Sequence, residues 1–366
     1  MTENPKRTPL YDLHVELGGK IVDFAGWSMP VQYPAGILKE HEQCRTQAAL
    51  FDVSHMGQVI IEGEGAAEAM EALVPGNITG LKPGQARYTQ FTNAEGGILD
   101  DLIVSNAGDY LFVVVNAGCR DADIAHMRAN LPGHLTLTEL TDRGLVALQG
   151  PASEAVLASL CPEAASLSFM ETIEADVSGI PCRISRLGYT GEDGYEISMP
   201  ADRAIDLSRI LLGHDKVLPA GLGARDSLRL EAGLCLYGHD ISTETTPIEA
   251  GLQWSIAKRR REEGGFPGAD VIQAQLADGP ARKLVGIKPD GPAPAREGTE
   301  VLNMDGDVIG IITSGGFGPT VGGPVAMGHV EAAYAQPGMD IQLLIRKKAR
   351  AASVAKLPFV EQNYKR

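Results

Sequence analysis

The periodicity of the chain changes once, near residue 275. Before that point helical and strand patterns alternate. After it, short β-rich pieces at 283–288, 307–313, 325–330 and 340–346 are separated by Gly and Pro turns, and no long helix appears. A helix repeats its apolar positions every 3.6 residues and a strand every 2, so one side-chain pattern cannot serve both. The switch therefore marks two architectures, a mixed region over 1–275 and a small all-β domain over 276–366. Within the mixed region, 57–63 reads as a strand and 66–73 as a helix. Strands at 88–92 and 98–104 flank Asn93-Ala94-Glu95-Gly96-Gly97, a turn of hairpin composition. A strand at 111–115, a helix at 119–130 and a strand at 145–148 follow. Gln149-Gly150-Pro151 ends that strand, and further helices are expected up to Leu160, at 202–212 and at 226–234. Helices interleaved with antiparallel hairpins argue for an α+β fold.

Composition narrows the function. Lys and Arg number 32 against 47 Asp and Glu, a net charge of −15 over 366 residues. That field disfavours nucleic acid and anionic membranes as partners, apart from local basic patches. No uninterrupted apolar stretch reaches the roughly 18 residues of a membrane span. The start, Met-Thr-Glu-Asn-Pro-Lys-Arg, lacks an apolar leader, so no secretory signal is expected. The five cysteines are widely spaced, odd in number and without CxxC, which fits reduced thiols in a cytoplasmic protein. The eight histidines form no HExxH and sit beside no cysteine pair, so no metal site is expected. Walker, GxGxxG and GxSxG motifs are absent. The 315–323 stretch, Gly-Gly-Phe-Gly-Pro-Thr-Val-Gly-Gly, has the look of a phosphate cradle, but no basic helix start follows it; it reads as a wide turn between strands.

Four places offer chemistry. Asp100 and Asp101 lie among Ile98, Leu99, Leu102, Ile103 and Val104. Successive strand residues face opposite sides, so one carboxylate points each way among apolar neighbours. Such a carboxylate needs a partner or a function, unless both sit at the exposed edge of a hairpin. Alternation does not choose between the two. Gly188-Tyr189-Thr190-Gly191-Glu192-Asp193-Gly194-Tyr195-Glu196 makes a tight loop, flanked by Tyr189 and Glu196. A carboxylate there can accept two parallel N–H bonds from a planar heterocycle, while Glu192 and Asp193 read as solvated turn acids. Ala224-Arg225-Asp226-Ser227 opens a helix that Asp226 is placed to cap, or Asp226 pairs with Arg229. The basic runs Lys258-Arg259-Arg260-Arg261 and Arg346-Lys347-Lys348 read as solvated faces or as a docking patch for an acidic partner. Trp254 and Tyr364 read as core or stacking residues.

The ordered set of segments resembles the aminomethyltransferase family, the T-proteins of the glycine cleavage system. The carrying pieces are Thr8-Pro9-Leu10-Tyr11-Asp12, Phe24-Ala25-Gly26-Trp27, Met29 to Tyr33, Phe51-Asp52-Val53-Ser54-His55-Met56 and Gly96 to Val104. Ala147-Leu148-Gln149-Gly150-Pro151, Gly188 to Glu196, Gly221 to Asp240, Thr313-Ser314-Gly315, Ala326-Met327-Gly328 and Pro358-Phe359-Val360 complete them. The resemblance implies two interlocked folate-binding lobes with antiparallel sheets and flanking helices, plus a C-terminal β-barrel. It implies transfer of the methylene of an aminomethyl group, carried on lipoylated H-protein, to tetrahydrofolate, with release of ammonia and formation of 5,10-methylenetetrahydrofolate. By position in the family's motifs, the acid falls on Asp101, the pterin-binding glutamate on Glu196, the folate-contacting arginine on Arg225 and a C-terminal tyrosine on Tyr364. Met56, Tyr88, Asn116 and Tyr189 match positions expected to line the channel. Two rivals share the fold: a folate-dependent demethylase of sulfonium or N-methyl compounds, and a non-catalytic folate-binding iron–sulfur repair protein. The second carries Lys-Gly-Cys-Tyr-x-Gly-Gln-Glu, which Ala232-Gly233-Leu234-Cys235-Leu236-Tyr237-Gly238-His239 breaks.

Overall fold

The computed structural model describes residues 5–366. Residues 1–4, part of the stretch read above for a leader, lie outside the described residues. Three open sheets and a barrel organise the chain. The strand Trp27–Gln32 lies between Lys6–Arg7 and Lys20–Phe24 in a small sheet near the start. A five-stranded antiparallel sheet runs in the order Ala86–Thr92, Ile98–Asn106, Tyr110–Val115, Gly57–Glu62, Thr136–Glu139. A six-stranded sheet runs Glu171–Val177, Ile180–Arg186, Gly194–Pro200, Arg143–Gln149, Ala48–Asp52, Val217–Pro219, with only the last pair parallel.

The lobes interlock because the chain lays Ala48–Asp52 into the six-stranded sheet, leaves to build the whole five-stranded sheet, and returns to add Arg143–Gln149 beside it. Alternation then sorts side chains into layers. In the apolar run Tyr110–Val115, Leu111, Val113 and Val115 pack outward with Ile124 and Met127 of the helix Arg120–Asn130. Phe112 and Val114 point inward, against Phe51, Val53, Leu145 and Ala147 of the other sheet. In Gly194–Pro200, residues 195, 197 and 199 pack outward, so Glu196 and Ser198 face the layer between the sheets. The helix Leu222–Glu231 closes that layer with Ala224 and Leu228.

The barrel is closed by Arg282–Pro289, Gly323–Glu331, Val308–Gly318, Glu300–Leu302, Asp340–Ile345 and Lys348–Ala355. Its core is Ile287, Val301, Ile312, Val330, Leu343 and their neighbours. Arg346 and Lys347, at positive φ of 51° and 63°, make the exposed turn of its last hairpin. The position 275 falls inside the helix Ala269–Asp278, and the first barrel strand follows at Arg282. The last residues leave the barrel again. The Phe359 and Val360 N–H groups donate to Glu231 O, and Asn363 N–H to Gly191 O. Among the described residues no helix is long and apolar enough to cross a membrane.

Candidate active site

The strand Ile98–Asn106 is the second of its sheet, flanked on both sides, so its aspartates are not at an exposed edge. Leu102 and Val104 belong to the outer core with Ile124 and Met127, and Asp100 shares their face. Asp100 is fully buried there. Asp101, of opposite parity, points into the space between the lobes, where it is half-buried. Asn116, just past the strand Tyr110–Val115, donates from Nδ2 to Asp101 Oδ1 at 2.8 Å and to Asp101 O at 2.9 Å. Tyr88, on the neighbouring strand, hydrogen-bonds the same carboxyl. Burial, and next the charge of Asp100, pushes the Asp101 carboxyl up to about 7. A group poised there both holds and gives up a proton at neutral pH.

Across the layer stand Glu196, Arg225 and Tyr189. Glu196 is 8% exposed, yet no protein group donates to its carboxylate or pairs with it among the described residues. Burial raises its affinity for a proton, and Arg225 offsets this from a distance. The Arg225 guanidinium lies 4.8 Å over the Tyr189 ring; its Nη1 is buried without a partner. Tyr189 is itself fixed by donating to the Cys235 carbonyl. A buried carboxylate without a donor and a half-buried guanidinium with an orphaned Nη1, facing one space, are costly unless a ligand completes them. Their residue types fit a planar heterocycle bearing N–H donors and an acidic or carbonyl-bearing remainder.

The loop that carries Tyr189 is set by its glycines. A methyl group at Gly188 would stand 1.9 Å from the Gln149 side-chain oxygen, and Gly191 has φ +79°. Glu192 and Asp193 are not solvated, contrary to the sequence reading. Arg45 reaches Glu192 at 3.0 Å, and Arg186 grips Asp193. Their acids hold the loop from behind, which tertiary contacts supply and local composition does not show.

The helix bearing Arg225 starts at Leu222, and Asp226 lies within it rather than capping it. Asp226 instead pairs at 2.7 Å with Arg229, which also pairs with the buried Asp240 at 2.8 Å. The basic run 258–261 is no free docking patch. Arg260 is buried and donates to the carbonyls of Glu71, Val74 and Gly265. Arg259 pairs with Glu71 and Glu263, and Arg261 donates to Ile256 O and Gln253 O. The cluster, on the short helix Lys258–Glu263, fastens that helix to the end of the helix Ala66–Glu71, through Glu71 and backbone carbonyls.

Of the other expected residues, Met56 packs at the edge of the layer formed with Ala224. Tyr88 stacks on Trp254 at 5.4 Å, with Trp254 62% exposed. Tyr364 stacks face to face on Phe169 at 4.1 Å and makes no hydrogen bond or ring contact with Glu196, Arg225 or Asp101. Sequence reasoning missed Arg45, whose partners 190, 192, 228 and 231 lie far along the chain. A cavity of about 610 Å³ opens elsewhere in the interlobe layer, lined by Tyr110, Arg143, Arg183 and Ser198; none of the expected site residues lines it.

Comparison with known proteins gives the family. The GCVT N-terminal domain matches residues 10–260, and the glycine cleavage T-protein C-terminal barrel domain matches 282–361. The mitochondrial aminomethyltransferase of Dictyostelium discoideum is 46% identical over 379 residues, covering 99% of this chain and 94% of that protein. That of Gallus gallus is 48% identical over 370 residues, with the same coverage. The crystal structure of glycine cleavage system aminomethyltransferase T from Bartonella henselae is 45% identical, with a TM-score of 0.93 and 99% of each chain covered. The chain belongs to the glycine cleavage T-protein family of aminomethyltransferases.

Proposed function

We propose that the chain transfers the methylene unit of an aminomethyl group, carried on lipoylated H-protein, to tetrahydrofolate, releasing ammonia and forming 5,10-methylenetetrahydrofolate. The observation that carries this reading is the unsatisfied pair Glu196 and Arg225 opposite Asp101 in the interlobe layer. Tetrahydrofolate supplies the amine nitrogens that accept the one-carbon unit. Glu196 accepts the N–H donors of the pterin edge, and Arg225 takes an acceptor of the same ligand. The transfer returns one proton to the carrier sulfur and one to the departing amine. Asp101, with its affinity set near neutrality, is the group that holds and passes a proton beside the reacting atoms. Asn116 and Tyr88 fix its carboxyl in place. The five unpaired cysteines support a reducing compartment, and a cytoplasmic location is part of the same proposal.

The test is incubation with tetrahydrofolate and aminomethyl-loaded H-protein, following ammonia and methylene-folate together. Ammonia release that does not depend on folate would defeat the reading.

A further inference from the structure

Three carboxyl groups converge beside the space between the lobes, and among the described residues no cation pairs with them. Asp100 is fully buried, and Asp123, in the first turn of the helix Arg120–Asn130, is 3% exposed. Asp123 Oδ2 is buried, and no donor group reaches it. Asp101 completes the group. Arg120, the nearest cation in sequence, pairs with Glu139 instead. Asn116 ties the first and the third together. Its backbone N–H donates to Asp100 Oδ2 at 3.2 Å, and its Nδ2 donates to Asp100 Oδ1 at 3.0 Å and Asp101 Oδ1 at 2.8 Å. The chain then runs into the helix of Asp123, with Cys119 N–H donating to Asn116 O at 3.2 Å and Asp123 N–H to Cys119 O at 2.8 Å.

Three carboxylates in one buried group, without a counter-ion, repel strongly. A proton retained inside the group relieves this. Asp123 is the place for it: its oxygen is the orphan, and a protonated carboxyl can donate to Asp100 where a carboxylate only accepts. The geometry points to Asp123 and Asp100 as positioning residues for Asp101: they share one proton behind it, and the charge left on Asp100, with the Asn116 amide, sets how firmly Asp101 holds its own. This rests on the reading of Asp101 as the acid that handles the reaction's proton.

The electrostatics agree. Burial, and next the hydrogen bond to Asp100, pushes Asp123 up to about 10. Burial, and next the charge of Asp100, pushes Asp101 up to about 7. The other titratable groups facing this cluster are Tyr88, Tyr189, Tyr237, Cys119 and Cys235. Burial raises every one of them, so they stay neutral near pH 7 and leave Asp100 as the charge that acts on Asp101.

The experiment is a carboxyl ¹³C NMR titration of the full-length, folate-free enzyme labelled at aspartate. Asp101 and Asp123 are assigned by the resonances lost in Asp101→Asn and Asp123→Asn. Asp100→Asn is expected to lower both midpoints by about one pH unit or more, because it removes the neighbouring charge. Asp123→Asn swaps an O–H donor for an N–H donor without changing the charge, so Asp101 should titrate as in the parent enzyme. An unmoved Asp101 midpoint in Asp100→Asn overturns the inference. So does a lowered one in Asp123→Asn, which would mean that Asp123 is ionised. If Asp100→Asn does not fold, Asp123→Asn alone decides. Turnover is scored separately: an active Asp101→Asn enzyme would sink the assignment of Asp101 as the reacting acid while leaving the titration coupling to stand or fall by itself.

Discussion

Glu196 is buried with no hydrogen-bond donor among the described residues, and Arg225 meets it only at a distance, with Nη1 buried and unpartnered. Both groups give up water on folding and recover little until a ligand arrives. Glu196→Ala should therefore weaken tetrahydrofolate binding by about 1.5–3 kcal/mol, the weight of hydrogen bonds to a charged group. Calorimetric titration measures this, and the ligand-free variant should melt no lower than the parent. An unchanged dissociation constant would return Glu196 to a purely structural role. Asp101→Asn should keep the fold and folate affinity while lowering turnover by roughly 10²–10⁴, the usual share of a positioned acid–base group. Steady-state rates at saturating folate check this; a variant within twofold of the parent would remove Asp101 from the chemistry.

Short elements took their shape from contacts the local pattern does not contain. The run Lys258-Arg259-Arg260-Arg261 has the composition of a solvated helix, and it does form the helix Lys258–Glu263. Arg260 nevertheless is 5% exposed, and its Nη2 donates to three carbonyls. Arg260→Glu would put a carboxylate against those acceptors and beside Glu71, whose Oε1 Arg260 Nη1 now meets at 3.7 Å. An uncompensated buried charge costs about 3–5 kcal/mol. The midpoint of urea unfolding should fall accordingly. Turnover should fall equally with lipoylated H-protein and with free aminomethyl-dihydrolipoate, at low and high salt alike. A defect confined to the protein substrate and erased by salt would revive the docking role. The helix around Arg225 was likewise placed too late in the chain. Gly221 precedes its first turn, and no side chain caps it. The Gly221 N–H donates to Glu40 Oε2 at 2.9 Å, a partner 181 residues away.

At the scale of the molecule, the barrel docks through Glu231. Its Oε1 accepts the N–H groups of Thr320 at 2.7 Å and Val321 at 3.1 Å, while Oε2 faces Arg45 at 3.1 Å and His41 at 3.1 Å. The glycine-rich turn with the look of a phosphate cradle thus does present N–H groups to an anion, but the anion is a side chain of the helix Leu222–Glu231. Burial opposes the charge on Glu231, yet its partners, His41 first, hold the carboxyl down to about 2 against an ordinary 4.5. A lowered carboxylate stabilises the fold above its unfolded-state value and loses that contribution as pH falls through the folded one. Melting temperature should therefore drop between about pH 4.5 and pH 2 in the parent. Glu231→Gln should melt lower at pH 7 and show a shallower decline across that window. Parallel curves would remove Glu231 as the acid-sensitive joint.

The sequence alone determined the alternation of helix and hairpin, the change to an all-β domain, and the presence of two aspartates on an apolar strand. These follow from local periodicity and turn chemistry, which neighbouring residues settle between themselves. Through the resemblance it also pointed to Asp101, Glu196 and Arg225 as the residues to test. Alternation left open which aspartate faces the space between the lobes, and the packing decides it: parity fixes opposite faces, and contact with Ile124 and Met127 closes the face of Asp100. Only the tertiary structure decided that Ala48–Asp52 pairs with Arg143–Gln149 across the intervening sheet, and that Arg45 grips partners from 190 to 231. Such contacts pair groups far apart along the chain, and their free energy depends on burial that no local window of residues specifies.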